Sequence, residues 1–186
     1  MAAIEPKTVA LKDGQEVCIR TPMEKDVPVV LDYLKEVFQE DWFFATTAEE
    51  AKEWQVPEKE QEIIQKNYQD DNKVMLVTEH NGKIVSFSNV HAGERKRNQH
   101  VGQIGLSILP EYRNNGLGTA IMQTMTDWAA AHPVIEKLTL GVWSKNKRAI
   151  RLYEKMGFAE EGRKVKEIKY ADGNYDDCIC MYRFVK

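Results

Sequence analysis

The sequence predicts a single α/β domain with a central, mixed and mostly antiparallel sheet and helices on both of its faces. Hydrophobic periodicity predicts the order β-α-α-β-β-β-α-β-α-β-β along the chain. No internal repeat and no linker-like stretch interrupts that order. A length of 186 residues suits one domain with a sizeable hydrophobic core. We therefore expect residues 1–186 to form one domain.

The first third of the chain predicts a hairpin followed by helices. Residues 8–11 and 17–20 are strand-like and flank Lys12-Asp13-Gly14, a turn signal. Apolar residues then recur at helical spacing from Val27, with Asp26 placed to cap that helix. Thr47 and Glu50 have the spacing of a capping box and predict a second helix. Pro57 breaks it, and a further helical piece is expected over about 58–67.

The rest of the chain alternates strands and helices. Residues 74–79 and 84–90 predict a hairpin around Asn81-Gly82, and residues 100–109 predict the next strand. A helix over 117–131, a strand over 137–142 and a helix over 146–156 follow, the last ended by Gly157. Residues 160–170 and 175–185 predict a closing hairpin around Asp172-Gly173.

A glycine-containing loop, residues 112–120, joins the predicted strand before it to the helix that begins near Leu117. A helix N-terminus carries amides without internal partners and the positive end of the helix dipole. Gly116 and Gly118 allow a ligand to approach this main chain closely. The context predicts an anion site, most naturally for phosphate or pyrophosphate. A plain turn is the alternative, because the spacing fits neither the dinucleotide fingerprint nor the P-loop.

Two motifs give this loop a more specific interpretation. Arg113-x-x-Gly116-x-Gly118 resembles the Q/R-x-x-G-x-G/A motif of the GNAT acyl-CoA N-acyltransferases. Downstream, a strand and helix resemble the N-x-x-A-x-x-x-Y-x-x-x-G-F segment of the same superfamily, with matches at Asn146, Ala149, Tyr153, Gly157 and Phe158. The resemblance covers about residues 74–184. Tyr153 and the hairpin around Asp172-Gly173 look most like the ribosomal-protein N-terminal and polyamine acetyltransferase branch.

The resemblance implies a GNAT-like fold that binds acetyl-CoA between two splayed parallel strands. Pantetheine would pair with the strand edge at Leu106 and Ile108, and an amide near Ile108 would polarise the acetyl carbonyl. The pyrophosphate would rest on the main chain of the loop. The implied cofactor-binding residues are Leu106, Ile108, Arg113, Asn114, Asn115, Gly116, Leu117, Gly118, Thr119 and Asn146.

Tyr153 and Asn146 lie near one face of the same predicted helix, two turns apart. The family pattern implies that Tyr153 is the general acid that protonates the departing thiolate. Periodicity alone favours Tyr153 as a core aromatic residue. Asn146 offers a donor and an acceptor for the amides of pantetheine, and its structural alternative is a helix cap.

The general base has no obvious candidate. The ribosomal-protein branch carries a glutamate five residues before the asparagine, where this chain has Gly141. The other frequent base position, in the strand before the loop, is Gln103. An amine that arrives neutral would need little help from a base, and a chain of water molecules could also carry its proton away. The remaining alternatives are Glu40, Asp41, His91 and Asp177.

Composition excludes several other classes. A net charge of -3 and a pI near 5.9 provide no electrostatic footprint for nucleic acid. No apolar run approaches the roughly 20 residues of a membrane span. The three cysteines are expected to be reduced packing residues, and no metal site is expected. These features and the absence of a signal-peptide core predict a cytoplasmic protein. Dimers are common among similar proteins, although nothing in the sequence reads as a dimer interface.

The sequence thus favours an enzyme that transfers an acetyl group from acetyl-CoA to a primary amine by direct attack. The acceptor is a protein or peptide N-terminus, a polyamine or another small amine. Trp42, Phe43 and Phe44 beside Glu40 and Asp41 either line an apolar, acidic acceptor pocket or belong to the core. A non-catalytic acyl-CoA-binding module is the alternative, and a binder of another nucleotide phosphate is a weaker third.

Overall fold

The computed structural model describes residues 3–39, 44–53 and 55–186. Its contacts divide the chain into two compact units. The first unit comprises Met1–His91 and Gly105–Ile121, and the second comprises Ala92–Ile104 and Met122–Lys186. The expectation of one domain stays a prediction.

From Lys73 onward the helices and strands follow the predicted order; before Lys73 the described residues form two strands and three α-helices, one more of each than that order has. The strands are β1 (Lys7–Ala10), β2 (Glu16–Arg20), β3 (Lys73–His80), β4 (Lys83–Ala92), β5 (Val101–Ile108), β6 (Lys137–Trp143), β7 (Ala159–Lys169) and β8 (Tyr175–Phe184). The α-helices are α1 (Val27–Val37), α2 (Ala48–Lys52), α3 (Pro57–Gln69), α4 (Leu117–Ala131) and α5 (Lys147–Lys155). Short 3₁₀ turns occupy Glu24–Asp26 and Pro110–Tyr112.

In the first unit, β1 to β4 form an antiparallel series in chain order, β1-β2-β3-β4. The predicted hairpin turn at Asn81-Gly82 is confirmed, since both residues have positive φ, at 50° and 80°. Below the strands, α1 and α3 pack with β3 and β4 in a cluster of Val27, Leu31, Leu34, Ile64, Met75 and Phe87. The helical spacing read from Val27 therefore identified core positions.

The two predicted caps of the first unit have different outcomes. The capping box is confirmed, because Thr47 Oγ1 accepts the amide of Glu50 at 3.2 Å and the Glu50 carboxylate accepts the amide of Thr47 at 2.8 Å. Asp26 occupies the predicted N-cap position of α1, but its side chain makes no capping bond. Its carboxylate instead accepts both terminal nitrogens of Arg20, at 2.6 and 2.9 Å, and the amide of Met23. The buried arginine thus outcompetes the helix amides.

In the second unit, the strand order is β5-β6-β8-β7. The β5–β6 pair is parallel, and its register covers Val101↔Lys137, Gly102↔Leu138 and Gln103↔Thr139. The β6–β8 and β7–β8 pairs are antiparallel. The predicted mixed sheet with one parallel pair and the closing hairpin are therefore confirmed. Both β5 and α4 contribute residues to each unit. No helix in the described ranges is long and apolar enough to cross a membrane.

Candidate functional site

The glycine loop of the first unit has the geometry of an anion cradle. Asn114 and Gly116 have positive φ, at 61° and 94°, and Gly116 is a position where any L side chain would be strained. The amide of Ala120 bonds to the carbonyl of Gly116 at 3.1 Å and closes the first turn of α4. Within the described chain, the amides of residues 117–119 have no protein acceptor. The protein thus leaves these donors available for a ligand.

Arg113 fixes the start of this loop to the end of β5. Its Nε donates to the carbonyl oxygen of Ile108 at 2.7 Å. The side chain therefore folds back onto the main chain that precedes the loop, which orients the whole turn. The arginine of the motif thus has a clear local role before any ligand is considered.

Asn115 connects the loop to the turn between β1 and β2. Its carbonyl oxygen accepts the amide of Lys12 at 3.1 Å, and its Oδ1 accepts the amide of Asp13 at 3.1 Å. Its Nδ2 in return donates to the carboxylate of Asp13. From the sequence alone, Lys12 and Asp13 read only as turn residues. The contact spans 102 positions in the chain, so no local pattern reveals it.

The two faces of strand β5 differ where the strand leads into the glycine loop. Ser107 Oγ accepts a hydrogen bond from the hydroxyl of Tyr33 at 2.7 Å and donates to the carbonyl oxygen of Phe87 at 3.3 Å. Tyr33 is fully buried, and burial raises the pKa of its phenol. Leu106 and Ile108 flank Ser107 on the opposite face of the strand and are half-buried. The strand is thereby held rigidly through one face.

In the second unit, Asn146 caps α5. Its Oδ1 accepts the amide of Ala149 at 3.1 Å, so the structural alternative for this residue is realised. Its Nδ2 is a separate donor, and the cap does not use it. The pantetheine-binding role of Asn146 stays a prediction.

Tyr153 lies on α5, two turns beyond Asn146, and only 7% of its surface is exposed. Its ring packs against Phe158, with ring centroids 6.2 Å apart. Burial raises the pKa of the phenol to about 12, so the group is protonated at neutral pH. Its hydroxyl has no hydrogen-bond partner among the described residues. The phenol therefore holds a proton at neutral pH, which a general acid requires before the reaction.

A carboxylate on β8 organises the turn that enters α5. Asp176 is 3% exposed and accepts bonds from Ser144 Oγ at 2.6 Å, Tyr170 Oη at 3.0 Å and the amide of Asp177 at 2.9 Å. The amide of Lys145 is a longer contact, at 3.4 Å. Nothing in the sequence alone singles out this acid. Its role depends on contacts more than 30 positions away in the chain.

The structure explains the glycine at position 141. A Cβ on Gly141 would lie 2.9 Å from the Sγ of Cys178, closer than ordinary contact. A glutamate in its place would therefore require Cys178 to move. Gln103 is exposed on β5 and pairs with Thr139 of β6. Neither position supplies a carboxylate.

The other base candidates differ in their surroundings. His91 Nε2 is buried and has no hydrogen-bond partner among the described residues. Burial, together with the charge of Lys73, lowers the pKa of this imidazole, so it is neutral at pH 7. Asp177 is committed to its hairpin, because Oδ1 accepts the amide of Lys166 at 2.8 Å and Oδ2 lies 3.5 Å from Arg163. Glu40 and Asp41 lie outside the described residues.

The predicted aromatic cluster is only partly described. Trp42 and Phe43 lie outside the described residues. Phe44 is half-buried and packs against the half-buried Phe38, with ring centroids 4.8 Å apart. The described ranges contain no group of three or more His, Cys, Asp or Glu side chains able to hold a metal ion.

The sequence-predicted residues therefore fall into two sets. Residues 113–119 and the end of β5 lie together in the first unit, and Asn146 and Tyr153 lie together on α5 in the second. The residues that sequence reasoning missed are those that hold these two sets in place, namely Lys12, Asp13, Tyr33, Ser107 and Asp176.

Comparisons with known proteins identify the family and the fold. A family model described as the acetyltransferase (GNAT) family matches residues 31–158. The L-amino acid N-acetyltransferase AaaT of Escherichia coli K12 is 28% identical over 102 residues, which cover 55% of this chain and 62% of that protein. This chain thus spans less than two thirds of that relative.

Solved structures show the same fold. A GNAT-family acetyltransferase from Streptococcus pneumoniae superposes with a TM-score of 0.85 at 29% identity, covering 91% of this chain and 99% of that one. Spermidine N-acetyltransferase from Vibrio cholerae, solved in complex with CoA and spermine, gives a TM-score of 0.72 at 21% identity, covering 90% and 95%. The second likeness concerns the fold alone. Because the family model covers more than half of the sequence, the chain belongs to the GNAT family of acetyl-CoA-dependent acetyltransferases.

Proposed function

We propose that this GNAT acetyltransferase transfers the acetyl group of acetyl-CoA to the primary amine of a small molecule or peptide. The observation that carries the proposal is the free main-chain donors at the start of α4. The amides of residues 117–119 have no protein acceptor in the described chain, and Gly116 leaves the approach to them open. A diphosphate satisfies such donors well, because charge-assisted hydrogen bonds contribute roughly 1.5–3 kcal/mol each.

The cofactor would use main chain more than side chains. The pyrophosphate would rest on amides of residues 114–119, with Arg113 holding the turn through the carbonyl of Ile108. Pantetheine would run along β5 at Leu106 and Ile108, which the Tyr33–Ser107 hydrogen bond steadies. The Nδ2 of Asn146 would bond to an amide oxygen of the pantetheine arm while its Oδ1 caps α5.

The chemical step is a direct attack without a covalent enzyme intermediate. The amine nitrogen forms a bond to the acetyl carbon, and the carbon–sulfur bond breaks with its electron pair moving to sulfur. Tyr153 would give its proton to the departing thiolate, which its raised pKa of about 12 allows, since the phenol stays protonated at neutral pH. The nitrogen's surplus proton passes to a base or directly to solvent.

The amine is best supplied already neutral. Positions 103 and 141 carry no carboxylate, and Asp177 is occupied by its own hairpin. Among the described alternatives, His91 is the neutral imidazole with an unsatisfied buried nitrogen, and we propose it as the base. Its replacement by asparagine would slow transfer to amines of high pKa more than transfer to amines of low pKa.

The experiment that tests the proposed function is an acceptor panel. The purified protein is mixed with acetyl-CoA and, in turn, L-amino acids, spermidine, spermine, and peptides with free N-termini. Release of CoA is followed by thiol detection, and the acetylated amine is identified by mass spectrometry. Transfer to at least one class supports the proposal, and the reactive class names the acceptor. Silence across all of them, with no CoA release, contradicts it.

A second candidate is a non-catalytic acyl-CoA-binding module. The observation that favours it is the absence of a carboxylate at both usual base positions, Gln103 and Gly141. Tight binding of acetyl-CoA by calorimetry, with no acetyl transfer to any amine of the panel, would select this candidate over the enzyme.

A further inference from the structure

We propose that the turn between β1 and β2 is part of the CoA-binding site, and that Lys12 supplies a cation to a CoA phosphate. The Asp13–Asn115 pair holds this lysine beside the glycine loop. The inference rests on the proposed CoA site at residues 114–119 and adds to it a binding residue and a positioning pair. All the residues involved belong to the first unit.

The turn and the loop are joined by three hydrogen bonds. The carbonyl of Asn115 accepts the amide of Lys12, the Oδ1 of Asn115 accepts the amide of Asp13, and the Nδ2 of Asn115 donates to the carboxylate of Asp13. A reciprocal pair of this kind fixes both partners in orientation, because each side chain satisfies the other's polar groups. The turn therefore has a defined position relative to the loop.

Hydrogen bonds within the turn between β1 and β2 also fix its own conformation, so its three bonds to Asn115 fix the position of Lys12 relative to the loop. The amide of Gly14 bonds to the carbonyl of Leu11 at 3.0 Å, and the amide of Leu11 bonds to the carbonyl of Gln15 at 2.8 Å. The Oδ1 of Asp13 accepts the amide of Gln15 at 3.0 Å. Leu11 is 5% exposed and anchors the hairpin to the core. Both carboxylate oxygens of Asp13 thus accept hydrogen bonds, Oδ1 from the amide of Gln15 and Oδ2 from the side chain of Asn115.

The side chain of Lys12 runs next to Gly116. A Cβ at Gly116 would lie 3.8 Å from Cγ of Lys12, which is ordinary van der Waals contact. The aliphatic stem thus lies beside the residue that opens the anion cradle, and Lys12 as a whole is exposed. A lysine can cover such a surface with its stem while its charge stays accessible to a ligand.

The ammonium of Lys12 is not committed elsewhere. Lys12 is exposed and takes part in no ion pair among the described residues. The neighbouring acid, Asp13, is engaged by Asn115 and by the amide of Gln15. The Nε of Arg113, the other cation of the loop, is bonded to Ile108. Lys12 is therefore the uncommitted cation placed against the phosphate cradle in this unit's described loop and turn.

The test replaces Lys12 by glutamine and measures CoA affinity by calorimetry at low and high salt. Lys7 is the matched control, because it is an exposed lysine on the same hairpin without a described partner. We expect Lys12→Gln to raise the Kd for CoA about five- to tenfold at low salt. The difference should shrink at high salt, because salt screens an exposed charge pair. Lys7→Gln should leave the Kd unchanged.

The outcomes separate this inference from the proposed function. If the wild-type protein binds no CoA, the proposed function fails. If the wild type binds CoA and Lys12→Gln binds it equally well at low salt, only this inference is overturned. Repeating the measurement with dephospho-CoA, which lacks the 3′-phosphate, identifies the contact. Loss of the Lys12 effect assigns the 3′-phosphate, and persistence assigns the pyrophosphate.

The positioning pair is tested by a double-mutant cycle. Asn115→Ala alone should weaken CoA binding several-fold, because it releases the turn from the loop. If Asn115 acts through Lys12, the same change in a Lys12→Gln background should cost at least threefold less. Fully additive losses would overturn the positioning role. Thermal denaturation of each variant checks that the fold is retained, and Asn115→Asp, which faces Asp13 with a second carboxylate, should reproduce the loss.

Discussion

Replacement of Asp176 is the perturbation whose size follows most directly from the structure. This carboxylate on β8 is 3% exposed and holds the turn that enters α5. It accepts three hydrogen bonds of 3.0 Å or less, from the hydroxyls of Ser144 and Tyr170 and from the amide of Asp177, and a weaker one from the amide of Lys145 at 3.4 Å. Asp176→Ala removes the acceptor of all four hydrogen bonds at once.

The expected loss of stability is about 3 kcal/mol. Hydrogen bonds to a charged acceptor contribute roughly 1.5–3 kcal/mol each, so three good bonds set an upper range of about 5–9 kcal/mol. Two effects reduce this loss. Water can replace the carboxylate as the partner of Ser144 and Tyr170, because both residues are only partly buried. The mutation also removes the free-energy cost of desolvating the carboxylate. For a chain of this length, 3 kcal/mol lowers Tm by about 6–12 °C.

The loss should depend on pH in a defined direction. Burial pushes the pKa of Asp176 upward, but the bonds from Ser144, Tyr170 and the two amides outweigh it and lower the pKa below its ordinary value. A lowered folded-state pKa means that the stabilisation is present above the unfolded-state pKa of about 3.9 and is lost as pH falls through the folded-state value. Wild type and Asp176→Ala should therefore converge in acid.

Urea denaturation at pH 7 and at several lower pH values measures the difference. Asp172→Ala is the control, because Asp172 lies in the same hairpin, is exposed and bonds only to Asn174 among the contacts seen. That variant should lose less than about 1 kcal/mol. A loss below 0.5 kcal/mol for Asp176→Ala at pH 7, or a difference that stays constant as pH falls, would refute the reasoning.

Three further changes have signs set by the structure. By urea denaturation, Glu60→Gln should be more stable than wild type at pH 7 and equally stable near pH 4. Burial raises the folded-state pKa of Glu60. The stability of the wild type therefore falls as pH rises above the unfolded-state pKa of about 4.3. Thr47→Ala should cost about 1 kcal/mol in the same assay, since it removes the cap on the Glu50 amide; no change would contradict the capping box. Gly141→Ala should lower Tm, because the new Cβ would lie 2.9 Å from the Sγ of Cys178. Adding Cys178→Ala to the Gly141→Ala variant should restore much of the lost Tm. A Gly141→Ala variant as stable as wild type would contradict this, because it would show that the Cys178 side chain moves aside at little cost.

Features encoded by a few neighbouring residues were predictable from the sequence. The Asn81-Gly82 turn and the Thr47–Glu50 capping box each depend on residues at most three apart, and both are present. The glycine loop before α4 is equally local, because Gly116 at positive φ and the helix start at Leu117 follow from adjacent residues. Local signals of this kind carry their own physical cause, so distant packing rarely reverses them.

Features that depend on distant partners were not predictable. Asp26 was read as a cap, but Arg20 takes its carboxylate because a buried guanidinium needs charged partners more than α1 needs a side-chain cap. The Asn115–Asp13 pair joins positions 102 apart, and no periodicity shows it. The constraint on Gly141 comes from a cysteine on the neighbouring strand. Such contacts exist only once the chain has folded.

The central claim is that bare amides at the start of α4 hold the diphosphate of acetyl-CoA while Tyr153 protonates the departing thiolate. The most direct test compares kcat and the Kd for CoA in wild type and Tyr153→Phe, using an amine that the acceptor panel identifies. We predict that kcat falls by about 10²–10³-fold, as removal of a general acid does, while the Kd for CoA changes less than about twofold. An unchanged kcat, or an equal loss in kcat and CoA affinity, would contradict the account.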